Sequence, residues 1–255
     1  MKYGIQMYLF RGHCRTNSQT LRTIKRVADM GWDGIELFQS VNIPAESILS
    51  AAGSCEILNP MLWPKHFEPG RIQKTCDWLK ALDAKTAAYN SIPALHPGPK
   101  VYRQYNPKYV EIAKTFDENG LIFCHHNHKE EYQMTEGRAG IDILTEGVEP
   151  YCLEIDTYWA REIGCDVTAL MEERKEHLRY IHLKDKKAGA KKFCPIGAGD
   201  VENRRFVEKA MELGLEYVIV DLDNSDRDAF EAAEMSLKWL RDNFGQRRIG
   251  GCWSD

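Results

Sequence analysis

Apolar positions along this chain fall into short dense runs separated by longer stretches at helical spacing. Residues 3–9 alternate and end at Phe10-Arg11-Gly12, the mark of a strand followed by a loop. Asn17-Ser18 is placed to cap a helix over residues 19–30, where Leu21, Ile24, Val27 and Ala28 share a face and Gly31 ends the run. Residues 32–38 form the next strand, with Glu36 near its end. A short helix over 45–52 and a strand over 55–63 follow, the strand leading into an aromatic, proline-broken loop. The spacing then predicts a helix over 71–82, a strand over 86–90, a surface loop over 91–100 held by Pro93, Pro97 and Pro99, and a helix over 108–116 starting behind Pro107. Leu121-Ile122-Phe123-Cys124 is a buried strand, and a short helix over 139–144 follows it. Strands over 151–156, 178–185 and 217–223 alternate with helices over 167–174, 203–213 and 228–243.

Eight strands alternating with helices predict the α/β class and a single (β/α)8 barrel, one domain spanning residues 1–255. An open doubly wound sheet would need a Gly-x-Gly-x-x-Gly turn after its first strand, whereas Gly197-x-Gly199 comes late. A net charge of −4 gives no bulk attraction for phosphate backbones or anionic lipid, so neither nucleic acid nor membrane is an expected partner. The 8 cysteines form no Cys-x-x-Cys pair and several sit in apolar runs, which fits free thiols in a reducing cytoplasm. The chain opens directly as a strand without an apolar leader, so a cytoplasmic protein is expected; a homo-oligomer is left open.

The strand ends carry the chemistry. Behind Cys124 the chain reads His125-His126-Asn127-His128-Lys129-Glu130-Glu131-Tyr132, and period two puts His126 and His128 on one side and His125 and Asn127 on the other. A barrel gathers all its strand ends on one face, which brings Glu36, His126, His128, Asp156, His182, Lys184, Asp221 and Asp223 together. His126, Asp156, His182 and Asp221, one from each of the last strands, form a mixed imidazole–carboxylate set suited to a divalent ion: Mn²⁺ first, with Zn²⁺, Co²⁺, Fe²⁺ or Mg²⁺ as alternatives. Taken singly, each has a plainer reading: Asp156 as a turn cap at Thr157, His182 as a satisfied core histidine, Asp221 as a partner of Arg227. His128, Glu131 and Glu36 are candidates for moving a proton, with hydrogen-bond support as the other role for the two glutamates. Lys184 shares a face with His182 and is placed to reach a substrate oxygen, while Trp63, Tyr158 and Trp159 offer walls for a sugar ring.

Gly34-Ile35-Glu36-Leu37, His126-Asn127-His128 with Glu131-Tyr132, Leu153-Glu154-Ile155-Asp156-Thr157, Ile181-His182-Leu183-Lys184-Asp185 and Ile196-Gly197-Ala198-Gly199-Asp200 together resemble the xylose isomerase-like TIM-barrel family, also called the sugar phosphate isomerase/epimerase family. The resemblance implies a divalent metal held at His126, Asp156, His182 and Asp221, and proton abstraction beside a metal-bound carbonyl of a sugar or keto sugar. His126 stands where many members carry glutamate and Asp221 is one methylene shorter than the usual glutamate, so the paired-glutamate mechanism of the epimerases does not transfer directly. The His-Asn-His-x-x-Glu form resembles members acting on keto sugars or cyclitols, which brings in a lyase or dehydratase sharing an enediolate-type intermediate. A metal-dependent apurinic endonuclease on a similar barrel fits the acidity and ligand count poorly, and a non-catalytic sugar-binding barrel is the alternative from another class.

Overall fold

The structure is a computed structural model and describes residues 1–245 apart from 93, 95 and 96; Pro93 and Cys252, two positions used in the sequence reading, lie outside the described residues. Strand β1 (Lys2–Gln6) pairs on one side with β2 (Gly34–Glu36) and on the other with β11 (Tyr217–Val220). The sheet continues from β11 through β10 (Leu178–Leu183), β9 (Tyr151–Asp156) and β6 (Ile122–His126) to β5 (Thr86–Tyr89), every pairing parallel. The third predicted strand is split into β3 (Glu56–Ile57), paired with β2, and β4 (Met61–Leu62), paired with β5. Pro60 lacks the N–H a ladder needs, which accounts for the break at Leu58-Asn59-Pro60. Phe38 bridges Met61, and the Met61 N–H donates to the Leu37 carbonyl at 2.8 Å, so the two edges meet and the barrel closes.

Helices α1 (Asn17–Asp29), α2 (Ala45–Ala52), α3 (Ile72–Ala81), α8 (Asn203–Glu212) and α9 (Ala229–Phe244) fall where apolar spacing places them. The first strand stops at Gln6, because the Gln6 side chain accepts from Tyr8 N at 2.7 Å and turns residues Met7–His13 into a 3₁₀ helix. The cap of α1 is Thr16, whose Oγ1 accepts from Gln19 N at 3.2 Å, rather than Asn17 or Ser18. Helix α4 (Pro99–Glu118) begins well before Pro107, which lies inside it. Arg103, Gln104 and Pro107 are exposed, so water can serve the carbonyl that the missing proline N–H leaves free. The sequence reading also missed the hairpin of β7 (Met134–Thr135) and β8 (Arg138–Ala139), and α6 (Thr157–Glu162); α5 (Gly140–Leu144) and α7 (Val167–Glu173) were expected.

Apolar residues form one layer between sheet and helices, and a smaller group including Leu58, Met61, Cys124, Cys152 and Tyr180 fills the barrel interior. The described cysteines are free thiols, and Cys55, Cys76, Cys124, Cys152 and Cys194 are buried. Among the described residues no helix is long and apolar enough to cross a membrane. Leu58 lies against two strands that must both lack a side chain there: a Cβ on Gly4 would meet its Cδ1 at 2.6 Å, and one on Gly34 at 2.7 Å. Gly34→Val should therefore lower folding stability by about 1–3 kcal/mol, the usual cost of overpacking. Urea titration checks this, and relief of part of the loss by Leu58→Ala in the same chain is expected.

Candidate metal and catalytic site at the strand ends

The last barrel strands each end in an inward-facing polar residue. His126, Asp156, His182 and Asp221 are buried and place one potential ligand atom each within 4.8 Å of one another. The period-two placement is thus realised in space: His126 faces inward, whereas His125 faces the helix layer and its Nδ1 lies 2.9 Å from Tyr109 Oη. Asn127 also points away from the group and ties two strand ends together, its Oδ1 accepting from Asp156 N at 2.9 Å.

The plainer readings of the ligand candidates divide. Asp156 does cap a helix, its Oδ1 accepting from Trp159 N at 3.0 Å, but its Oδ2 stays inside the group, 3.4 Å from Lys184 Nζ. His182 is contacted through both ring nitrogens: Nδ1 lies 3.2 Å from Asp221 Oδ2, and Nε2 lies 2.7 Å from Glu36 Oε2. Asp221 binds Lys184 rather than Arg227, which pairs with Asp226 and Glu231 instead. The Lys184 ammonium also reaches Asp223 Oδ1 at 3.1 Å.

Burial and charge set the protonation of these groups. Burial disfavours a charged lysine and a charged histidine, but the facing carboxylates outweigh it: Lys184 stays an ammonium, and the His182 pKa is raised well above its usual value by Glu154 and Glu36. Asp221 lies far below the ordinary carboxylate range, because Lys184 and His182 overcome the cost of its burial. Glu36 is pushed the other way, to about 8, by burial and by the nearby charge of Glu154. His128 is half-buried, its ring centroid 5.0 Å from that of His126; burial, His126 and Lys184 hold it down at about 3, so it is neutral near pH 7. Glu131 turns back to its own loop and accepts from His128 N at 2.9 Å, with its pKa raised by burial.

The donor set fits a divalent ion on grounds internal to the structure. Asp156 Oδ2 and Asp221 Oδ1 are buried without a hydrogen-bond partner among the described residues, which is costly unless something else engages the group. Two imidazoles with two carboxylates brought this close suit a borderline cation. The deeper Glu36 belongs beneath this group as a hydrogen-bond partner of His182.

Period two, counted back from Asp156, also singles out Glu154, which the sequence reading passed over; it is fully buried and contacts both ligand-candidate histidines. Asn59, in the break between β3 and β4, donates to Glu154 Oε1 at 3.1 Å, a role with no sequence signal beyond a polar residue in an apolar strand. Of the aromatic candidates, Tyr158 is buried against Phe193, while Trp63 is 40% exposed at the rim and Trp159 lies under Lys129 Nζ at 4.9 Å. A cavity of about 700 Å³ opens at the other end of the barrel, among the strand starts, next to Leu58, Arg179, Tyr180 and Tyr217. It holds none of the grouped ligand candidates, and in this architecture chemistry sits at the opposite, C-terminal strand ends.

No family model matches the chain, and no curated protein matches its sequence. Solved structures do match. A sugar phosphate isomerase/epimerase from Parabacteroides distasonis is 18% identical with a TM-score of 0.74, over 94% of this chain and 93% of that one. A 3-keto-D-glucoside 4-epimerase from E. coli is 17% identical, TM-score 0.72, over 95% and 99%. The probable 3-DHS dehydratase of petrobactin synthesis from Bacillus anthracis is 13% identical, TM-score 0.74, over 97% and 100%. The chain shares their fold. These neighbours agree with the barrel fold that the resemblance implies.

The backbone N–H groups around the Gly197–Gly199 loop converge on one point, and that point is already filled. Asp185 places its carboxylate there, accepting from Lys186 N at 2.9 Å, Gly197 N at 2.7 Å and Val201 N at 3.2 Å. Gly199 is required because a Cβ would fall 2.1 Å from Asp185 Oδ1, and Gly197, with φ +84°, because one would fall 2.1 Å from the Trp239 ring. Those N–H groups are therefore spent on the chain's own carboxylate. Asp185→Ala should cost about 3 kcal/mol of stability by orphaning several donors at once, which thermal and urea unfolding would register. His125 yields a pH prediction. Burial lowers its pKa to about 3, so between that value and its unfolded value near 6.5 the unfolded chain binds the extra proton and stability rises with pH. His125→Gln should make the loss of stability below pH 6.5 shallower, by up to about 1.4 kcal/mol per pH unit in urea titrations from pH 7 to 4.

Proposed function

We propose that this chain is a divalent-metal-dependent enzyme acting on a sugar or keto sugar by removing a proton beside a carbonyl, as an isomerase or epimerase. The observation that carries the reading is the convergence of His126, Asp156, His182 and Asp221 from consecutive barrel strands, buried and within 4.8 Å, with a permanently charged lysine among them. Those four residues would hold the ion, with Mn²⁺ as the first choice for a mixed imidazole–carboxylate set. When bound, the ion supplies a Lewis acid for a substrate carbonyl. The chain supplies the rest. His128, its ring beside that of His126, takes the proton in this reading; Glu131, bonded to its backbone N–H, fixes the loop that carries it. Lys184 steadies negative charge developing on the substrate oxygen, its ammonium kept charged by Asp221, Asp156 and Asp223. Trp63 and Trp159 border the entrance with flat apolar faces suited to a sugar ring.

A lyase or dehydratase reading starts from the same proton removal and differs in the group that leaves. It is favoured by imidazole at position 126, and a dehydratase is among the solved structures whose fold this chain shares.

Metal analysis of the purified protein by plasma mass spectrometry tests the reading, alongside Asp156→Ala and His182→Ala. About one ion per chain is expected in the wild type and its loss in both variants. Turnover of unphosphorylated keto sugars, keto glycosides and cyclitols should fall ~10²–10⁴-fold in His128→Ala with metal content unchanged. Product analysis separates epimer from eliminated product. No ion after reloading with Mn²⁺ or Zn²⁺ would leave a sugar-binding barrel without catalysis as the better account.

A further inference from the structure

Glu154 lies two residues before Asp156 on the same inward face of β9 and is fully buried. Its two oxygens face two different imidazoles. Oε1 is 3.2 Å from His182 Nε2, and Oε2 is 3.2 Å from His126 Nδ1. The His126 and His182 rings themselves lie 4.7 Å apart between centroids. Asn59 Nδ2 holds Oε1 from the far side at 3.1 Å, so the carboxylate is fixed between strands rather than free to turn.

We propose that Glu154 is a positioning residue that chooses the donor atom of both histidines, an inference that rests on the metal reading above. A neutral imidazole has one N–H and one lone pair, and an ionised carboxylate only accepts. A nitrogen facing Glu154 must therefore carry the proton. With an ion bound, when both rings are neutral, His126 keeps its proton on Nδ1 and His182 on Nε2, leaving Nε2 of His126 and Nδ1 of His182 as the lone pairs for the ion; in the ion-free chain His182 Nδ1 faces Asp221 Oδ2 as well. One carboxylate selects a single combination of the tautomers open to two rings, and it selects opposite nitrogens on them. Glu36 meets His182 alone, through Nε2 at 2.7 Å, and is itself held by Gln6 Nε2 at 3.2 Å.

Glu36, Glu154 and His182 also form a group compact enough to suggest a second ion. Their spacing argues otherwise. Ligand atoms about 2.0–2.2 Å from a shared ion lie roughly 3.0–3.5 Å from each other. Glu36 Oε2 and His182 Nε2, at 2.7 Å, are at hydrogen-bond distance instead.

The test uses full-length protein labelled with ¹⁵N in histidine and long-range ¹H–¹⁵N correlation spectra, ion-free and loaded with Zn²⁺, together with Zn²⁺ affinity by chelator competition. In the wild type, His126 should carry its proton on Nδ1 in both states, and Zn²⁺ should shift Nε2 of His126 and Nδ1 of His182. Glu154→Gln is nearly isosteric, but its amide offers an acceptor to one ring and a donor to the other, so one ring must change tautomer. Zn²⁺ affinity should fall ~10–100-fold with the fold retained. Glu36→Gln should perturb His182 and leave His126 as it was, a contrast that general loosening of the core would not produce. A wild-type spectrum with the His126 proton on Nε2, or Glu154→Gln with unaltered rings and affinity, overturns the proposal. If Glu154→Gln does not fold, the wild-type spectrum alone decides the His126 assignment. A wild type that takes up no Zn²⁺ sinks the metal reading, while the ring patterns of the ion-free chain still decide what Glu154 does.

Discussion

Charge balance away from water is the constraint on which this barrel depends. Glu36, Glu154, Asp156 and Asp221 are all buried at the strand ends, and a buried carboxylate is tolerated only when paired and hydrogen-bonded. Lys184 answers the two aspartates and His182 answers both glutamates and Asp221, which ties β2, β9, β10 and β11 to one another through side chains as well as through the ladder. The fixed register of a closed parallel barrel is what lets residues so distant in sequence meet with hydrogen-bond geometry.

The alternation of strands and helices was legible because both rhythms are strong here and a barrel repeats them. What escaped the sequence depended on individual atoms. Pro107 reads as a helix start, and nothing local tells that its exposed face lets water replace the bond it forgoes. Gln6 ends the first strand by accepting from Tyr8 N, a bond that apolar alternation cannot register. In the site, the inward-facing set His126, Asp156, His182 and Asp221 follows from period two and the barrel, because strand ends converge. Glu154 obeys the same rule and was overlooked beside the more chelating Asp156. Asn59 was illegible, since its importance comes from a strand break that only the closing of the barrel explains.

Glycine-rich loops in α/β proteins invite a phosphate reading, and the loop after β10 shows why the invitation needs checking. The backbone N–H groups converge as they would on an anion, but the anion is Asp185. The glycines answer to steric crowding by that carboxylate and by Trp239 rather than to an incoming ligand.

Asp156 occupies two structures at once. One oxygen starts α6 by accepting from Trp159 N, and the other lies within the buried ionic group. The floor of the site and the tryptophan at its rim are thus bolted to a single carboxyl group, with no hinge between them. A change that re-aims this side chain would also disturb the first turn of α6, so the buried ionic group and the position of Trp159 cannot be altered independently.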